Sequence, residues 1–93
     1  MLPARATIQW HRQIPEMPYT TVVKLAHPRA DWSSDAWSMV VISIANRRGQ
    51  TSDAEVGFLS EKAPAELLVP GCSFELYEGR RKVATGRIVQ ERL

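Results

Sequence analysis

Residues 67–90 read LLVPGCSFELYEGRRKVATGRIVQ, and this stretch decides the fold. Phe74 and Leu76 alternate with Glu75 and Glu78, the period of two that marks a strand with one face in a core. Gly79, Arg80 and Arg81 supply a hairpin turn, and residues 82–90 return as a second strand. Pro70-Gly71, just upstream, is a tight-turn signature. Gly86 inside the returning strand predicts a bulge or a bend. The unit is therefore short strands joined by tight corners.

The same grammar extends toward the N-terminus. Residues 62–68 predict a single helical turn, with Pro64 at its start and Glu66 in its first turn. Residues 54–59 form a strand with Ala54, Val56 and Phe58 on one face. Residues 47–50, Arg-Arg-Gly-Gln, form a turn with a permissive glycine. Residues 37–45, WSMVVISIA, are apolar on both faces in the middle and predict a central strand. Residues 28–35 form a polar surface crossing that carries Trp32. Residues 20–25 are a β-branched strand, and Pro15 and Pro18 make residues 11–18 a loop. Residues 5–10 alternate Ala6, Ile8 and Trp10 against Arg5, Thr7 and Gln9.

Six short strands with no long helix predict an all-β fold, a six-stranded antiparallel β-barrel. Closure removes the edges that an open sheet would expose. Phe58, Phe74, Leu76 and Ile88 take apolar slots and are expected to be buried together. Ninety-three residues make one domain, 1–93, which buries roughly 60–65% of the surface of its unfolded chain. With 44% hydrophobic and 24% charged residues the composition excludes disorder, collagen and coiled coil. No apolar run reaches the ~20 residues of a membrane span. Residues 1–12 hold no apolar core of a signal peptide, so a cytoplasmic location is expected. The single cysteine, Cys72, excludes an intrachain disulfide.

The segments Glu55-Val56-Gly57-Phe58-Leu59, Leu67-Leu68-Val69-Pro70-Gly71, Phe74-Glu75-Leu76-Tyr77-Glu78-Gly79 and Val83-Ala84-Thr85-Gly86 carry a resemblance. They look like the C-terminal β-barrel of the translation elongation factor Tu family. There a strand, a Pro-Gly turn, a strand ending in Glu-Gly and a strand ending in a small residue and glycine follow in this order. The resemblance covers residues 55–89. Over residues 1–53 only strand order matches, and near residues 18–20 only Tyr19 agrees. It implies a stand-alone accessory barrel. In the family this barrel follows a GTP-binding domain and contacts tRNA and the nucleotide exchange factor. Here no G-x-x-x-x-G-K-[ST] is present, so neither nucleotide binding nor hydrolysis is carried over.

No catalytic constellation stands out. Cys72 follows the Pro70-Gly71 corner and reads as a small buried hydrophobe. His11 and His27 with Cys72 fit no metal-ligand spacing, so no metal or cofactor is expected. Asp31 and Asp35 flank Trp32 and read as solvated charge, with a glycosidase-like pair as the sharper alternative. Trp10, Trp37, Phe58 and Phe74 read as packing. Trp32, beside Arg29, is either a lid over one barrel mouth or an exposed contact for a base or a protein.

Twelve Lys and Arg against ten Asp and Glu give a net charge of +2, so the distribution of charge matters more than its sum. Arg47 and Arg48, then Arg80, Arg81 and Lys82, fall at the two predicted hairpin tips. At one end of a barrel they make one cationic patch for phosphate or an acidic surface. At opposite ends they serve solubility. The expected function is a non-catalytic binding module for an acidic protein surface or RNA, with Arg47, Arg48, Arg80, Arg81, Lys82 and Trp32 as candidate contacts. A nucleic-acid or ribosome-associated protein, and a small-ligand barrel or enzyme, are the alternatives.

Overall fold

Alternation in the sequence becomes inside and outside in the structure. The computed structural model describes residues 3–26 and 36–91. Strand β1 (Ala4–Trp10) turns Ala4, Ala6, Ile8 and Trp10 inward. Strands β2 (Tyr19–Ala26), β3 (Ala36–Arg48), β4 (Thr51–Phe58), β5 (Ser73–Glu78) and β6 (Arg81–Gln90) follow. All neighbours are antiparallel, and the order β1-β4-β3-β2-β5-β6 closes into a barrel. Phe58, Phe74, Leu76 and Ile88 meet in its core as expected. Closure leaves no central strand, so the place expected for residues 37–45 does not exist. Val40 is still buried on the outward side of β3, opposite Gly57.

A small barrel must bend its strands sharply, and inserted residues do this. An extra residue in one strand increases local bend and twist. Ile42 is inserted opposite β4, between the pairs Val41–Val56 and Ser43–Glu55. Val83 is inserted opposite β5, so Val83 and Ala84 are consecutive and both buried. Val89 is inserted opposite β1 and faces solvent. Gly86, where a bulge or a bend was expected, carries no bulge: it stays in register opposite Phe74. Its role is a close approach: a Cβ there would meet the Phe74 ring at 2.1 Å.

The connection from β4 to β5 plugs one end of the barrel. Its helical segment is a short 3-10 turn, Ala65–Leu67, tighter and shorter than the turn expected over residues 62–68. Ala63, Leu67, Leu68 and Cys72 join the core there. The Gly71 N–H donates to the Ile88 carbonyl at 2.9 Å, and the Ile88 N–H donates to the Cys72 carbonyl at 2.8 Å. These bonds stitch the connection to β6. At the other end Trp10 closes the core, with Ile14, Met17 and Tyr19 packed against it. Among the described residues no helix is long and apolar enough to cross a membrane.

Candidate binding surface

Strand registers place both arginine-bearing hairpins at one end of the barrel. Thr51 of β4 lies opposite Gln9, and Ala84 of β6 lies opposite Trp10, both near the end of β1. The Trp10 N–H donates to the Gln50 carbonyl at 2.8 Å, and the His11 N–H donates to the Val83 carbonyl at 2.7 Å. Trp10, the last residue of β1, and His11, the residue after it, therefore hold the two hairpins, one on each side. Strands lie about 4.8 Å apart, so β4 and β6 are separated by roughly 10 Å across β1. That matches a Debye length of ~8–10 Å, and the fields of the two tips add.

The tips are shorter than expected. Arg47 and Arg48 belong to β3 and Arg81 and Lys82 to β6, so only Gly49-Gln50 and Gly79-Arg80 turn. In each pair the glycine has positive φ, 62° and 61°, and the second residue does not. This is the Gly-X form of a two-residue hairpin, whose twist suits the flanking strands. Ahead of the first turn, Asn46 and Arg47 together oppose Ser52 between the pairs Ala45–Asp53 and Arg48–Thr51. Asn46 takes φ 51°, a conformation that Asn tolerates better than most residues. In an unbroken strand Arg47 and Arg48 would face opposite sides. The bulge turns both into solvent.

Internal partners then divide the cations. Arg48 Nη2 lies 3.2 Å from Asp53 Oδ1, and Arg48 also donates to the Asn46 carbonyl. Lys82 Nζ lies 3.3 Å from Glu75 Oε2. Arg12 Nη1 donates to Glu78 Oε2, and its guanidinium sits 6.0 Å over the Tyr19 ring. The Tyr19 hydroxyl donates to the same Glu78 oxygen, and Gln50 Nε2 donates to the Arg12 carbonyl at 2.9 Å. This clasp ties residues 11–18 to both hairpins. Arg47, Arg80 and Arg81 are exposed and form no ion pair with any described residue. Arg81 stands opposite Glu78 in the ladder and its charge helps keep that carboxylate ionised, but the direct contacts to Glu78 come from Arg12 and Tyr19.

The paired carboxylates are easier to ionise than free ones. The Tyr19 hydroxyl and then Arg12 hold Glu78 below the usual range. Arg48 and then Asn46 do so for Asp53, and Tyr77 and then Lys82 for Glu75. Burial, then Glu78, raises the Tyr19 phenol. A carboxylate whose folded pKa is depressed stabilises the fold fully above its unfolded pKa, and this is lost as pH falls through the folded value. The denaturation midpoint is therefore expected to hold from neutral pH to about 5 and to fall below about 4. Urea titrations across that range measure it, and a flat profile would count against the clasp.

Trp32 lies outside the described residues, as do His27, Arg29, Asp31 and Asp35. Cys72 is 3% exposed, burial raises its thiol pKa, and it sits at the end opposite His11. Among the described residues no group of three His, Cys, Asp or Glu side chains is close enough to share an ion. The sequence reading missed that Arg48 and Lys82 are occupied. Asp53 follows Arg48 by five residues across a two-residue turn, a legible signal. The Arg12–Glu78 pair spans 66 residues and has none. No family model, curated protein or solved structure matches this chain.

Proposed function

We propose that this chain is a non-catalytic binding module, acting in the cytoplasm, whose arginine-bearing barrel end receives an acidic protein surface or RNA. The observation that carries the reading is the gathering of Arg47, Arg80 and Arg81, all exposed and forming no ion pair with any described residue, on two hairpins held by the consecutive residues Trp10 and His11 at the end of β1. Guanidinium forks match carboxylate and phosphate groups bidentately. The reading extends to a kinship with the elongation factor Tu accessory barrel. A closed six-stranded barrel, the corner at Gly71 and the turn at Gly79, both with positive φ, support that kinship.

The interior is filled by side chains such as Ile8, Met39, Phe74 and Leu76, which favours a surface contact over a small ligand held inside. The test is retention on an immobilised polyanion. The variant Arg47→Ala/Arg80→Ala/Arg81→Ala is expected to elute at clearly lower salt with an unchanged circular dichroism spectrum, because exposed side chains carry little packing. Elution of the variant together with the parent chain would remove the basis for the reading.

A further inference from the structure

We propose that the partner of this end is a short, extended, Asp/Glu-rich segment of a protein, gripped by Arg47, Arg80 and Arg81. The proposal rests on the binding-module reading above and decides between its two partner classes.

The unengaged cations have a small footprint. With Arg48, Lys82 and Arg12 engaged internally, three guanidinium groups remain. They stand on β3 and on the β5–β6 hairpin, separated by β4 and β1, a span of roughly 10–15 Å at about 4.8 Å per strand. An extended peptide advances about 3.3 Å per residue, so four or five residues cross it. Alternate side chains on one face of such a peptide recur about every 6.6–7 Å, and two or three carboxylates reach the three forks.

Among the described residues this end offers no stacking platform. Single-stranded RNA gains about 1–3 kcal/mol per base stacked on an aromatic ring. Trp10, at this end, is 2% exposed. Tyr19 is half-buried, set edge-on against Trp10 at 5.8 Å and covered by Arg12. Tyr77, on the outer wall, is half-buried under Lys24 Nζ at 4.9 Å. Among the described residues none of these rings is free to take a base. Three phosphate contacts alone give single-strand binding a salt slope of only about −2.

Negative charge lies at the margin of the patch. Asp53, Glu75 and Glu78 flank the patch, and Glu16 lies in residues 11–18 between the hairpins. A continuous polyanion leaving the patch crosses these carboxylates. A short acidic segment held on the three forks meets fewer of them.

Fluorescence anisotropy with two labelled probes tests the inference: a peptide of about eight residues with Glu at alternate positions, and a single-stranded RNA of about twelve nucleotides. The peptide is expected to bind more tightly than the RNA. The Arg47→Ala/Arg80→Ala/Arg81→Ala variant should weaken peptide binding by about tenfold or more, while Lys82→Ala leaves it within about twofold. Tighter, arginine-dependent binding of the RNA would overturn the inference and leave the binding-module reading standing. Equal loss from Lys82→Ala and from the triple variant would overturn the division between engaged and free cations on which the inference depends. Binding of neither probe would overturn the inference together with the reading beneath it.

Discussion

Phe74→Ala is expected to cost about 3–5 kcal/mol, a large share of the roughly 5–15 kcal/mol that holds a domain of this kind together. Phe74 is 1% exposed and among the largest fully buried side chains of the barrel. Its ring lies over Gly86, its partner in the β5–β6 ladder. Removing the ring opens a cavity whose floor is a residue with no side chain to move in. The reciprocal change is also informative. In Gly86→Ala the new methyl would sit 2.1, 2.4 and 2.8 Å from three ring carbons. The ring or the strand must shift, at about 1–3 kcal/mol or more. The two sites touch, so their effects should not add. Phe74→Leu in the Gly86→Ala background should lose less than the sum of the single losses. Urea denaturation of the four proteins measures this. A Phe74→Ala cost below about 1 kcal/mol, or a neutral Gly86→Ala, would show that the ring does not pack on the glycine.

That contact shows where sequence reading stops. Alternation, β-branching and an apolar run identified the six strands, and alternation put Phe58, Phe74, Leu76 and Ile88 in one core, because these are local properties of the sequence. Gly86 was equally visible, but it is not the site of a bulge, and its close approach to Phe74 was not read. A glycine in a strand marks either a bulge or a close approach, and which one depends on the residue opposite, here twelve residues earlier in the chain across the hairpin. The actual insertions, Ile42, Val83 and Val89, are apolar residues with no local mark. Only closure of the barrel requires them.

The candidate site divides along the same line. That Arg47, Arg48, Arg80, Arg81 and Lys82 sit at hairpin tips was legible, because the neighbouring glycines announce the turns. That both tips share one end follows from strand order, in which β1 lies between β4 and β6, and this order is not written in any short window. The division into engaged and free cations depends on pairs such as Arg12–Glu78, which only the folded chain brings together. The bulge at Asn46 decides the exposure of Arg47, and Asn before Arg is too weak a signal to announce it.

Trp10 links the stability of the barrel to its basic end, and Trp10→Ala is expected to cost about 3–5 kcal/mol. The indole is 2% exposed, and its Nε1–H donates to Ser52 Oγ at 3.0 Å. Ser52 is itself fully buried, so this bond satisfies two polar groups that water does not reach. Trp10→Phe keeps most of the packing but strands the Ser52 hydroxyl, which adds about 1–3 kcal/mol to the cost of the lost volume. Trp10→Phe/Ser52→Ala removes both partners and should recover part of that loss, since a pair deleted together leaves nothing unsatisfied. A double variant less stable than Trp10→Phe would show that the hydroxyl is satisfied elsewhere. The consequence reaches the surface through Tyr19, whose ring stands edge-on to the indole and whose hydroxyl shares Glu78 with Arg12. Loosening Tyr19 weakens that grip, and Glu78 is then freer to engage Arg81, its ladder neighbour. In Trp10→Phe, at temperatures where the chain remains folded, the proposed binding of the acidic peptide probe through the arginine end should therefore weaken although no arginine has been changed.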